Sequence, residues 1–171
     1  MRRLALSGFL LLAACTTDGG DGPRRPPVEM PAPLAVVDPA LVVGTWQCRD
    51  LNPYPGQPEQ TVTSTYDADG SFTDRSRVAG PPPAGGAIDV VARGRWAVEG
   101  GRIVTREVRT EAHAAGGDPK LDEIAALSAE FLNSRPRHER DGAVDVLRLS
   151  PDELVLRPAE VEDPAIVRCL R

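Results

Sequence analysis

Three cysteines, two histidines and a scatter of carboxylates are the residues of this 171-residue chain with chemistry to offer. Neither His113 nor His138 has a second histidine or a cysteine at the short spacing a zinc site uses, so no metal centre is expected. There is no Gly-x-Ser-x-Gly elbow and no Walker loop, and Gly19, Gly20 and Gly22 fall in a Pro/Gly-rich stretch rather than between a strand and a helix. Acidic neighbours such as Asp122 with Glu123, or Glu160 with Glu162, are of the right type for acid–base work, but charged pairs in loops usually only solvate a surface. The chain is therefore read as non-enzymatic, with no catalytic residue and no cofactor. The thiols of Cys15, Cys48 and Cys169 remain.

Met1-Arg2-Arg3 makes a positive start, Leu4 to Ala14 adds about eleven mostly apolar residues, and small residues precede Cys15. That is the layout of a signal peptide. A membrane-spanning helix needs about twenty such residues. Leu12-Ala13-Ala14-Cys15 resembles the lipobox of bacterial lipoproteins. The resemblance implies a leader over 1–14, cleavage before Cys15, and acylation of its thiol. The competing readings are an ordinary secreted protein cut nearby, or a cytosolic protein with an apolar first helix. Because Thr16 rather than Asp follows the cysteine, the resemblance further implies the outer membrane, with the domain facing the periplasm. The membrane is then a partner by way of the lipid.

With Cys15 acylated, Cys48 and Cys169 are the only intramolecular pair, and an oxidising envelope permits their disulfide. Closing so long a loop constrains the unfolded chain by about 4 to 5 kcal/mol in the entropy model. Alternation places Cys48 on the face of Trp46 and Cys169 on that of Val167, so the bond would join the two ends of the folded region. Two buried free thiols are the alternative, and a redox couple lacks the Cys-x-x-Cys spacing.

Formal charge is −5, and loss of Arg2 and Arg3 with the leader takes it to −7. A nucleic-acid partner is excluded on that balance, because phosphate binding needs clustered positive charge. Arginines are spread along the expected strands, and Lys120 is the only lysine. Composition is otherwise that of a globular chain, 41% hydrophobic and 26% charged, with 4% aromatic. Any pocket must be built mainly from aliphatic side chains.

These residues must be positioned by one domain. From Cys15 to about Ala35 the sequence is Pro, Gly and charge without hydrophobic period, a tether reaching at most ~60 Å at ~3.1 Å per residue. The domain is expected over 36–171. Asp38-Pro39 caps a single helical turn over Ala40 to Val43, ended by Gly44. Ile88, Val90, Ala92, Gly94, Trp96 and Val98 alternate with Asp89, Arg93, Arg95 and Glu99, the clearest strand. Across Gly100-Gly101 it pairs with Arg102 to Thr110. Further hairpins join Thr61–Tyr66 to Ser71–Val78 and Val144–Leu149 to Leu154–Arg157. With Thr45–Arg49 and Ala165–Leu170 the count is about eight antiparallel strands. One helix interrupts them: Asp118 caps, Pro119 starts it, and Leu121, Ile124, Leu127, Phe131 and Leu132 form a stripe expected to pack on the core.

The helical turn followed by Gly44-Thr45-Trp46 and an antiparallel meander resembles the lipocalin family and small bacterial lipocalin-like domains. The Tyr66–Phe72 hairpin and Gly94-Arg95-Trp96 add to the likeness. It implies a mainly β, eight-stranded barrel with one mid-chain helix. It also implies that Trp46 plugs one end under an Arg from a late strand, Arg157 or Arg168. The function implied is non-enzymatic binding of a small apolar ligand or lipid. The alternative is a protein-interaction or inhibitor module of the envelope, acting through the loops at Ala79–Gly86 and Asn133–Gly142.

Overall fold

The computed structural model describes residues 24–57, 59–81, 85–159, 161 and 163–171. Cys15 and the leader lie outside the described residues, as do Glu160 and Glu162.

After a helical turn, α1 (Pro39–Val42), the strands follow in order. They are β1 (Gly44–Asp50), β2 (Thr61–Tyr66), β3 (Ser71–Ala79), β4 (Ala87–Glu99), β5 (Arg102–Ala114), β6 (Gly142–Leu149), β7 (Glu153–Pro158) and β8 (Val167–Leu170). Each pairs antiparallel with the next and β8 returns to β1, so the sheet is a closed eight-stranded barrel. The expected strands are all present. Their bounds differ most at β5, which runs on to Ala114, then at β6, which starts at Gly142 rather than Val144, and at β8, which starts at Val167 rather than Ala165.

Alternation along most strands separates an apolar interior from a charged exterior. On β4, Ile88, Val90, Ala92 and Trp96 are buried while Arg93 and Arg95 are exposed. Gly94, also on the inner face, sits at a bulge, where a Cβ would stand 2.5 Å from the Arg106 carbonyl and 2.7 Å from the Phe72 ring. The scattered arginines pair with carboxylates of neighbouring strands on the outside. Arg77 bonds Asp89 at 2.6 Å, Arg93 bonds Glu111 at 2.6 Å, and Arg168 bonds Glu153 at 2.7 Å. Arg102 and Arg157 flank Asp145 at 2.8 and 2.7 Å. Burial works against ionising Asp145, yet hydrogen bonds from these two arginines hold its carboxyl below the usual range. Exposed pairs of this kind contribute little individually, roughly 0 to 1 kcal/mol, but together they favour one register.

The ladder between β5 and β6 is short, from Arg102↔Asp145 to Thr105↔Gly142. Beyond it, the outer half of β5 has a backbone edge that β6 does not reach. The helix α2 (Pro119–Ser134) and the turn α3 (Arg137–Arg140) cover that edge. Asn133 donates to Thr110 O at 2.8 Å and accepts from Thr110 N at 2.9 Å. Arg140 donates to Val108 O at 2.6 Å, and Asp122 accepts from Ala114 N at 2.9 Å. An uncovered edge would invite pairing with another chain, so the mid-chain helix has a structural reason. The segment Asn133–Gly142, expected as a free contact loop, is largely engaged in this sealing.

Asp118 caps α2 as expected, accepting from Lys120 N at 2.9 Å. The buried face of the helix differs from the expected stripe. Leu121, Ala125 and Ala129 pack on Val78, Ile88, Val90 and Ala112, while Ile124, Leu127 and Phe131 are 36%, 59% and 64% exposed. Small alanines let the helix lie close to the sheet. The bonds from Asp122 and Asn133 to β5 fix its rotation and turn the larger side chains outward.

Residues 24–35 form neither helix nor strand, as expected of a tether, yet they are fastened to the barrel. Arg25 is 6% exposed and lies 4.2 Å over the Tyr54 ring. Its guanidinium pairs with Asp50 and donates to Asn52 O at 2.9 Å. Val28 and Met30 cover Leu147 of β6, Val155 of β7 and Ile166 just ahead of β8 on the outside of the barrel, and Leu34 N donates to Val146 O at 2.8 Å. The covered patch explains why Leu154-Val155-Leu156 is an unbroken apolar run: both faces of β7 are buried.

Candidate functional site

The two ends of the barrel differ. One is sealed. Trp46, at 0% exposure, donates its indole N–H to Val42 O of α1 at 2.8 Å. The Arg171 guanidinium covers the Trp46 ring at 4.0 Å and donates to Val43 O at 2.6 Å and Leu41 O at 2.9 Å. It thus satisfies carbonyls at the end of α1 while stacking on the indole. Gly44 adopts φ +135°, and a Cβ there would meet that guanidinium at 3.1 Å, so the glycine of Gly44-Thr45-Trp46 has a double requirement.

The expected arginine was Arg157 or Arg168, and neither covers Trp46. Register decides this. Cys48 opposes Cys169 and Gln47 opposes Leu170, so the strand direction brings Arg171 to the level of Trp46 on the inner face. Arg168 opposes Arg49 on the outer face, and Arg157 is held by Asp145. The Cys48–Cys169 disulfide forms across this same seam, between Cα atoms 3.9 Å apart, and is buried at both ends.

Above the plug the interior is close-packed. Tyr66 meets Trp96 edge-to-face at 5.3 Å, and Trp96 donates its indole N–H to Asp67 O at 2.9 Å. Ile103, Val146, Leu154 and Leu156 are fully buried and join them in one cluster. A void large enough for water would leave accessible surface on its lining, and these side chains have none.

Toward the other end the inner wall changes character. The inward-facing positions Val62 on β2 and Asp74 and Ser76 on β3 are only half-buried. Small residues surround them: Ser64 opposes Asp74 across β2–β3, and Ala92 opposes it across β4. Roofing part of this mouth is α2, on the Val78–Ile88–Ala112 side.

Asp74 is the exception to the apolar interior. Its Oδ1 is buried without a hydrogen-bond partner, and it is the sole such side-chain atom among the described residues. Burial pushes its carboxyl up to about 6, opposed only in part by a hydrogen bond from Ser64. The buried phenol of Tyr66 is pushed up as well, first by burial and then by the negative charge of Asp74. A signal for Asp74 was present in the sequence: it alternates with Phe72 and Val78 and so belongs to the inner face. His113 and His138 are exposed, beside Asp122 at 3.7 Å and Glu139 at 3.9 Å. Among the described residues no group of three or more His, Cys, Asp or Glu side chains is placed to hold a metal ion.

No protein-family model matches this sequence, and no curated protein matches it. Among solved structures it is similar to a lipocalin-like protein from Bacteroides uniformis ATCC 8492. Identity is 18%, the match covers 75% of this chain and 97% of that one, and the TM-score is 0.41. The barrel described above rests on its own strand pairing.

Proposed function

We propose that the protein is a lipid-anchored, non-enzymatic binding module of the cell envelope that takes a small, mainly apolar molecule into the mouth of its barrel. One observation carries the reading: inward-facing Val62, Asp74 and Ser76 keep accessible surface at one end, while Trp46 and Val42 at the other have none. A barrel that only needed stability would be filled throughout, whereas eight strands leave room for one small ligand.

Anchoring rests on the lipobox at Cys15. About nine residues separate it from Arg25, which is fastened beside Asp50 and Asn52 at the open end. With Arg25 held, the expected reach of ~60 Å shortens to ~28 Å at ~3.1 Å per residue. The mouth would then stand close to the bilayer, from which an apolar ligand could be drawn. The ion-paired outer face supports anchoring over spanning, because a membrane-embedded barrel presents an apolar band to lipid.

Native mass spectrometry of protein extracted from its own membranes tests the reading. A non-covalent small-molecule adduct is expected, and Ser76→Trp, which fills the mouth, should remove it. Extracted protein that carries no adduct would overturn the proposal.

A further inference from the structure

We propose that the ligand carries a cationic amine that docks on Asp74, an inference that rests on the binding reading above. The inner wall offers one strong polar group, and its geometry is unbalanced. Asp74 projects inward from the middle of β3 between Phe72 and Val78, with Ser64 and Tyr66 facing it from β2 and Ala92 from β4. Ser64 is 1% exposed and Tyr66 3%. Neither side chain supplies positive charge.

The arginines described on β3 and β4 do not compensate Asp74: Arg77 pairs with Asp89, Arg93 with Glu111, and Arg95 donates to Asp69 O. On β3 its neighbours in sequence, Thr73 and Arg75, fall on the outer face, as does Arg77. A buried carboxylate is ordinarily paired or fully hydrogen-bonded, because removing its charge from water costs several kcal/mol in practice. Oδ1 is without a partner and has no accessible surface, so a donor reaches Asp74 only through the surface that this residue keeps at the mouth.

Water would satisfy a lone pair but not the charge. A protonated amine does both: its N–H donates to the carboxylate from the mouth and its charge neutralises it, while Val62 and the apolar face beside α2 receive a hydrocarbon or aryl body. The carboxylate at the bottom of the mouth would repel an anionic head. Fatty acids and phosphate-headed lipids are disfavoured for that reason.

Three probes of similar shape separate these chemistries: 2-phenylethylammonium, 2-phenylethanol and 3-phenylpropanoate. Each is titrated into the full mature protein, as wild type and as Asp74→Asn, with binding followed by calorimetry and folding checked by circular dichroism. The ammonium probe should bind the wild type best and lose about ten- to a hundredfold in affinity on Asp74→Asn, the worth of a charge-assisted hydrogen bond. The alcohol should be little affected by the substitution. Affinity for the ammonium should also fall about tenfold per pH unit below about 6, as Asp74 takes up a proton. Equal binding of alcohol and ammonium, or an ammonium affinity unchanged in Asp74→Asn, would overturn the amine assignment and leave the binding pocket standing. Tightest binding of the propanoate would do the same. Failure of all three probes, together with no adduct on extracted protein, would remove both readings.

Discussion

Arg171 lies 4.0 Å over the ring of Trp46 and shares its inner-face level, two positions along β1 from the Cys48–Cys169 bond. One side chain thereby closes the barrel end and terminates α1. Arg171→Ala should destabilise the fold by about 1 to 3 kcal/mol, combining a lost cation–π contact with two carbonyls deprived of their donor. Arg171→Lys should recover part of this, since the ammonium keeps charge but not the flat fork. Urea unfolding of the three proteins checks the order. Arg157→Ala, by contrast, should leave Trp46 fluorescence unchanged.

Reduction of the disulfide should be costly yet leave the native topology intact. The bond closes a sequence separation of 121 residues, for which the entropy model gives about 4 to 5 kcal/mol. The β1–β8 ladder on either side remains to hold the seam. Denaturant midpoints with and without reductant should differ accordingly, while circular dichroism in dilute buffer should not.

Asp74 should make stability depend on pH in a predictable direction. Its folded pKa, about 6, is above the ordinary 3.8, so the folded state binds the proton more tightly. The favourable contribution of the protonated acid is complete only well below 3.8 and is lost as pH rises through about 6. Asp74→Asn has no proton to lose. Its stability relative to wild type should therefore improve by about 2 kcal/mol between pH 4 and pH 7, read from unfolding curves at each pH. A flat difference across that range would show that the carboxylate is solvated.

Arg25 fastens the segment ahead of the barrel through Asp50, Asn52 and Tyr54. Arg25→Ala should release residues 24–33 from the outer wall while the barrel stays folded. Hydrogen exchange and limited proteolysis should both accelerate there, and total stability should fall by about 1 to 3 kcal/mol from the loss of a buried charged donor.

On α2 the exposed and buried faces should respond oppositely to substitution. Leu127→Glu, at a 59% exposed position, should change stability by less than about 0.5 kcal/mol. Ala125→Leu, at a fully buried position against the sheet, should destabilise by about 1 to 3 kcal/mol through overpacking. Thermal melts distinguish this arrangement from one in which the larger apolar stripe is the packed face.

Local pattern settled much of this protein. Strict alternation in Ile88–Val98, glycine turns, and the Asp-Pro starts at 38 and 118 are short-range signals, and they define strands, hairpins and caps without reference to the rest of the chain. The pairing of Cys48 with Cys169 was expected because they are the pair left once Cys15 is set aside for acylation, and the barrel closes it rather than leaving two free thiols. Closure of the sheet decided what remained. Which arginine covers Trp46 depends on register across a seam between residues more than a hundred positions apart, whereas the resemblance had implied Arg157 or Arg168. The rotation of α2 is dictated by hydrogen bonds to an edge of β5 that exists only because the β5–β6 ladder stops early. Residues 24–35 contain too few apolar side chains to announce a structure, and they are ordered by an outer patch assembled from β6, β7 and the approach to β8. Asp74 could be assigned to the inner face from its spacing, but only the assembled barrel shows that its Oδ1 finds no hydrogen-bond partner among the described residues, since pairing is a property of neighbours in space.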